Sequence, residues 1–192
     1  MPALLSMNQK DKKYLLELSR RTLEKYFQNK EILQVEKDDL SESLKERKGA
    51  FISLRENECL RGCIGSLEGI KPIFEEVIEN SLASALFDPR FPPLKKEELK
   101  NIKIEISILE PLKKLVSFTT TEGLINYLKE NKPGLLIKKG TFQATFLPQV
   151  WEELKTPELF LSRLCQKAGL AEDEWKKMNF DIYQYEATVF KE

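Results

Sequence analysis

The stretch Ile102-Lys-Ile-Glu-Ile-Ser-Ile-Leu109 leaves the chain little conformational choice. Isoleucine returns at every second position, and Lys103, Glu105 and Ser107 fall between. A period of two is that of a β-strand; on a helix the same isoleucines would scatter around the axis. One apolar and one polar face predict an antiparallel or mixed sheet with one side covered. Pro111 ends the strand. The cover is expected from an amphipathic helix over residues 8–29, with Tyr14, Leu15, Leu18, Leu23, Tyr26 and Phe27 on one stripe.

A second strand is predicted over residues 49–54. A polar turn over 55–58 joins it to Cys59-Leu-Arg-Gly-Cys-Ile-Gly-Ser-Leu67, so the two form a hairpin. Strict alternation would set Cys59, Arg61, Cys63 and Gly65 on one face and Leu60, Gly62 and Ile64 on the other. A thiol and a guanidinium two residues apart, flanked by glycines, form an uncommon pattern for a strand that only packs.

Beyond the hairpin, Pro72 opens a helix that stops near Phe87, because Pro89 disfavours helix at Asp88. Ala83, Ser84 and Ala85 are small enough to let a neighbour approach. Asp88-Pro-Arg-Phe-Pro-Pro-Leu94 is a stiff loop that can hold Asp88, Arg90 and Phe91 at a site or serve as a connector. Short helices are predicted over 41–46, 97–99 and 150–154. Thr119-Thr-Thr-Glu122 offers capping hydroxyls to another that ends by Asn131. A second hairpin turns at Lys139-Gly140, Pro157 opens a helix stopped by Gly169, and residues 180–190 read as one final strand.

The chain of 192 residues is long enough for one substantial core. A single domain over 1–192 is expected, with lobes near 48–110 and 119–190 and the helix over 8–29 packed on the sheet. Lys+Arg and Asp+Glu balance at 31 each, so there is no broad positive field to draw nucleic acid or anionic lipid. No apolar run approaches the ~20 residues of a membrane span. Met-Pro-Ala-Leu-Leu-Ser-Met lacks the features of a secretory signal, and with three cysteines the expected compartment is the cytoplasm. Cys59 and Cys63 cannot pair within one strand, since four residues separate their Cα atoms by ~13 Å against a limit of ~7 Å. The chain contains no histidine, which excludes Ser-His-Asp and Cys-His catalysis within it. The commonest zinc ligand is missing too, and no metal or cofactor is called for.

Leu60-Arg-Gly-Cys-Ile-Gly65, Asp88-Pro-Arg-Phe-Pro-Pro93 and Phe146-Leu-Pro-Gln-Val150 follow one another in an order and spacing that resembles the AMMECR domain family. Ala168-Gly-Leu170 and Trp175 extend the likeness, which runs from about Tyr14 to Phe190. The resemblance implies an α+β fold: an antiparallel or mixed β-sheet flanked by helices, in two unequal lobes. The family's activity is not established, and a nucleic-acid role has been suggested for it. Its bacterial and archaeal members of the AmmeMemoRadiSam system protein A type imply partners of the Memo-like and radical-SAM kind. The motif positions are Arg61, Gly62, Cys63 and Gly65; Asp88, Arg90 and Phe91; and Pro148 and Gln149. Where the family often carries a Gly-x-His-Gly-like turn, this chain reads Asn131-Lys-Pro-Gly134.

Two readings of Cys63 stay open. As a nucleophile it would be ionised with help from Arg61, ~6–7 Å away on the same face; the attraction is roughly 2–3 kcal/mol at an effective dielectric of ~20. With no histidine shuttle, Asp88 or Glu68 would have to carry the proton. As a small packing residue it would sit buried, which raises a thiol's pKa, while Gly62 and Gly65 permit a bulge or close helix packing. In either case Arg61 and Arg90 are placed to hold a small anionic ligand, a carboxylate or phosphate. Three functions follow: an enzyme or anion-binding protein using Cys63, Arg61 and Asp88, a non-catalytic adaptor within a complex, and an RNA-associated protein, the last disfavoured by the neutral charge.

Overall fold

The structure is a computed structural model that describes residues 7–115, 118 and 120–192. The segment before Met7 and the predicted capping hydroxyl of Thr119 lie outside the described residues. The fold is α+β, with two four-stranded sheets in two compact units. One unit runs to Leu109 and takes back Thr188–Glu192; the other is Glu110–Ala187.

In the first unit α1 is Gln9–Asn29, its first turn capped by the Asn8 side chain, which accepts from the Asp11 amide at 2.9 Å. A short α2, Glu42–Lys45, precedes the hairpin of β1, Ala50–Glu56, and β2, Cys59–Gly65. After α3, Ile73–Leu86, comes β3, Ile102–Leu109. The sheet order is β2-β1-β3-β8, where β8 is Ala187–Lys191, so β2 is an edge strand. Ala50, Ile52 and Leu54 on β1 face Ile108, Ile106 and Ile104 on β3, and all six are buried against α1 and α3. The isoleucine alternation thus makes the core. The other face is open at Lys103 but closed at Ser53 and Ser107, which are also buried.

The hairpin turn is tighter than four residues. Only Asn57 and Glu58 lie outside the ladder, both with positive φ (52° and 64°), as a two-residue hairpin turn requires. Arg55 and Glu56 stay in the sheet because they also pair with Lys103 and Ile102. The register slips once. Leu54 pairs with Gly62 and Arg55 with Leu60, which leaves Arg61 as the extra residue of a β-bulge. Cys59, opposite Glu56, therefore falls on the other face from Cys63, opposite Ser53, and strict alternation across the strand fails.

Helix α3 lies close on β2. A side chain at Gly62 would put its Cβ 2.2 Å from the Ser84 carbonyl oxygen. Two residues on, the Ser84 hydroxyl accepts from the Ile64 amide (2.8 Å) and donates to the Ile52 carbonyl (2.7 Å). Of the two alternatives expected of Gly62 and Gly65, close helix packing is found at Gly62, and the bulge falls one residue before it, at Arg61.

In the second unit the sheet order is β4 (Lys113–Lys114), β7 (Asp181–Tyr185), β5 (Gly134–Lys139), β6 (Phe142–Phe146). Helices α4, Thr121–Asn131, and α5, Pro157–Lys167, share its core, where Trp151 stacks on Phe160 at 3.9 Å. The final strand expected over 180–190 is two strands. The chain leaves one sheet after Tyr185 and enters the other at Ala187.

Gly62→Ala should destabilise the protein by about 2–3 kcal/mol, because backbone and not a flexible side chain blocks the new methyl. Gly140→Ala is the comparison: its φ is +59° but its surroundings are open, so it should cost about 1 kcal/mol. Urea denaturation of both variants checks the order; equal losses would mean that α3 shifts without penalty.

Candidate functional site

The site grows from the end of α3. Pro89 stops the helix, and Asp88-Pro-Arg-Phe91 closes as a turn in which the Phe91 amide donates to the Asp88 carbonyl at 3.1 Å. Aspartate suits the first position of such a turn because its side chain can accept from the backbone two residues on; here Asp88 Oδ1 accepts from the Arg90 amide at 3.0 Å. The Leu94 amide returns to the Ala85 carbonyl at 2.7 Å, which ties the far end of the loop to the last helical turn.

The loop then grips the outer edge of β2. Asp88 Oδ2 accepts the Cys63 amide at 2.8 Å. Arg90 donates through Nε to Asp88 Oδ1 (2.9 Å) and through Nη2 to Asp88 Oδ2 (2.7 Å) and the Cys63 carbonyl (3.3 Å). Carboxylate and guanidinium together occupy the places that a further strand's C=O and N–H would take. The Asp88 side chain is 2% exposed and that of Arg90 54%. Its hydrogen bond to Arg90, with the two backbone amides adding, holds the Asp88 carboxyl down at about 2 against the penalty of burial. Asp88 therefore stays ionised with both oxygens engaged; it positions Arg90 and the Cys63 backbone.

Cys63 is half-buried. The Ser53 hydroxyl, on the facing strand, donates to its sulfur at 3.3 Å. Arg90 is held at the same residue, its Nη2 donating to the Cys63 carbonyl, and its pKa is raised first by the bond to Asp88. A buried hydroxyl at the sulfur and a half-exposed guanidinium at the carbonyl thus meet at one cysteine.

Arg61 is engaged elsewhere. From the bulge it makes a two-point bond to Glu98, Nε to Oε1 at 2.7 Å and Nη2 to Oε2 at 3.2 Å, while Nη1 donates to the Pro92 carbonyl at 2.9 Å. Its side chain is 15% exposed, and its bond holds the Glu98 carboxyl below the usual range. Arg20 on α1 fixes the adjoining backbone, donating to the Leu99 carbonyl at 3.0 Å and the Ile102 carbonyl at 2.6 Å. Phe91 lies beside Arg90, with 5.4 Å between guanidinium and ring. Gly65 pairs with Phe51.

Cys63, Arg90, Asp88 and Phe91 are thus brought together, and Arg61 joins the same loop through Glu98 and Pro92. Pro148 and Gln149 belong to the second unit, in a single 3-10 turn, Pro148–Glu152. Ser53 and Glu98 are participants that the residue pattern did not reveal. A lone serine among the apolar residues Ala50, Phe51, Ile52 and Leu54 was the available signal for the first. Among the described residues no group of three His, Cys, Asp or Glu side chains is placed to hold a metal, and no helix is long and apolar enough to cross a membrane.

The sequence profile of the AMMECR1 family matches residues 16–190. The chain belongs to the AMMECR1 family. Protein MK0488 of Methanopyrus kandleri is 35% identical over 187 residues, spanning 93% of this chain and 87% of that one. Protein NEQ441 of Nanoarchaeum equitans is 39% identical over 158 residues, 81% of this chain and 87% of its own. The crystal structure of an uncharacterized protein, PH0010 of Pyrococcus horikoshii, superposes with a TM-score of 0.85 at 34% identity over 93% of this chain and 90% of that one.

The Asp88 pair makes stability depend on pH in acid. A carboxyl near 3.8 when unfolded and about 2 when folded contributes stability that is complete above pH 4 and is lost as pH falls through 2. Because Arg90 is half open to solvent, the contribution is discounted to about 1–2 kcal/mol. Asp88→Asn should be less stable than the native chain at pH 6, and the gap should narrow between pH 4 and pH 2. Denaturant titrations at several pH values measure it, and a gap independent of pH would exclude the ion pair as its source.

Proposed function

We propose that this AMMECR1-family protein is a thiol-dependent enzyme that holds a small anionic group at Arg90 beside the Cys63 sulfur. The observation that carries the reading is the half-buried Cys63 thiol accepting from the Ser53 hydroxyl at 3.3 Å while Arg90 Nη2 is held 3.3 Å from the carbonyl oxygen of the same residue. Arg90 keeps an exposed side for a carboxylate or phosphate while Asp88 anchors the other. In this reading Cys63 is the nucleophile, Arg90 binds and activates, and Asp88 positions. Arg61 and Glu98 brace the loop; Gly62 and Gly65 allow the strand its close neighbours. The resemblance to the AmmeMemoRadiSam system protein A type supports a place in a cytoplasmic pathway with Memo-like and radical-SAM proteins, and retention of either on the immobilised protein tests that part.

Alkylation of Cys63 against pH tests the site. Its rate with iodoacetamide should rise to half-maximum clearly below the value of about 8.5 for an unperturbed cysteine. Anionic iodoacetate should gain on neutral iodoacetamide relative to a model thiol. Arg90→Gln should shift the midpoint upward and abolish that gain, and Arg90→Lys should retain part of both. An unshifted midpoint with no preference for the anion would replace the enzyme reading with the adaptor one.

A further inference from the structure

We infer that strand β6 is an interface for a second copy of this chain, the two strands pairing antiparallel across a two-fold axis at Ala144.

Phe142-Gln-Ala-Thr-Phe146 has the same pattern in either direction: phenylalanine at each end, a hydrogen-bonding side chain next to it, alanine in the middle. An antiparallel pair centred on Ala144 sets Phe142 opposite the partner's Phe146, Gln143 opposite the partner's Thr145, and Ala144 opposite the partner's Ala144. A two-fold interface requires such self-complementarity, because one patch must serve both copies.

Strand β6 is an edge of its sheet, and its ladder with β5 runs without a slip from Phe142 to Phe146. The Thr145 carbonyl points away from β5, for it accepts from the Lys167 ammonium at 2.9 Å. In an antiparallel strand the N–H and C=O of one residue point to the same side, and alternate residues share that side. The N–H and C=O of Gln143 and the N–H of Thr145 therefore point outward too, and no described residue bonds to them. A Gln143–Thr145 pair on each side of the axis would exchange these groups. Ala144 falls between them as a non-hydrogen-bonded pair, where Cα atoms approach to ~4.5 Å and a methyl group fits.

Proteins commonly block such edges. Asp88, Arg90 and Ser84 engage the backbone of β2, and β4, at the far edge of the sheet that holds β6, is a pair of lysines. Strand β6 contains no charge, proline or bulge. What meets its edge is Lys167, a flexible side chain on one carbonyl.

The side chains favour a second copy as the occupant. Phe142, Ala144 and Phe146 lie on the sheet face that α5 covers, opposite Lys139, Ile137 and Leu135. Phe146 packs edge-on against Phe160, with the Lys167 ammonium 4.9 Å from its ring centre, while Phe142 remains 49% exposed. In the pair each Phe142 ring comes beside the partner's Phe146, and the partner's Lys167, once it leaves the carbonyl, keeps an aromatic surface for its charge. Pairing over five residues buries well under the ~1,200 Å² of a stable interface, so the dimer is a weak one.

The experiment is sedimentation equilibrium of the full chain under reducing conditions, so that the exposed Cys59 cannot link copies. Between about 5 and about 500 µM the mass should rise from that of one chain toward that of two, with a half-point on the order of 100 µM. Gln143→Pro removes an outward N–H that the native sheet does not use, and it should raise the dissociation constant at least about tenfold. Hydrogen exchange of the native chain at both ends of the range needs no variant, so a folding defect cannot obscure it. The amides of Gln143 and Thr145 should slow about threefold at the high concentration, while that of Ala144, already turned to β5, should not change. A single-chain mass throughout overturns the inference and leaves the edge to a strand from some other protein. Association without slowing at Gln143 and Thr145, or association indifferent to a natively folded Gln143→Pro, puts the contact on another surface and overturns it as well.

Discussion

One carboxylate, that of Asp88, joins the elements of the site. It ends α3, closes the proline turn, satisfies the outward amide of an edge strand and orients Arg90. An edge strand offers unpaired backbone groups to any passing chain. Here the groups of Cys63 are taken up by an aspartate and an arginine two residues apart, and the proline between them reduces the entropy lost in holding that arrangement. The sulfur inherits the rigidity, because its own backbone is what the pair holds.

The two arginines singled out by the motifs differ in what surrounds them. Arg61 stands at a bulge, its guanidinium covered and saturated by Glu98 and Pro92. Arg90 has a buried counter-ion on one side and solvent on the other. A neutralised ion pair has little reach, but its ends are not equivalent when one is buried and the other open. The guanidinium therefore acts locally, on Asp88 and on the Cys63 carbonyl. With net charge near zero, the chain adds no long-range steering of anions.

Much of the scaffold was legible because its causes are local. The isoleucines of β3, the Pro72 start and Pro89 stop of α3, and the second hairpin follow from periodicity and backbone restriction, although its turn is Gly140-Thr141, one residue beyond the expected Lys139-Gly140, because Lys139 stays in the ladder opposite Phe142. What was not legible depends on register. The four polar residues 55–58 read as a turn, but pairing with β3 draws Arg55 and Glu56 into the sheet, and the slip that follows moves Cys59 to the other face and turns Arg61 toward Glu98, 37 positions away. No local signal announces such a slip. Residues 180–190 fail for a related reason: strand propensity says nothing about which sheet a strand joins, and here Tyr185 and Ala187 join different ones. Ser53 became significant only when register set it opposite Cys63.

The absence of histidine shapes the chemistry more than any residue present. Thiol enzymes commonly move a proton between sulfur and leaving group, and that needs a side chain able to gain and lose it near neutrality. The Cys63 sulfur accepts from a hydroxyl, and its backbone is held by a guanidinium and by a carboxylate fixed in its ionised form; none of these three changes charge near pH 7. None of these three groups can relay a proton near neutrality. The same logic accounts for the burial of Asp88: a carboxylate that accepts four hydrogen bonds makes a poor base and a firm anchor, and this loop uses it as an anchor.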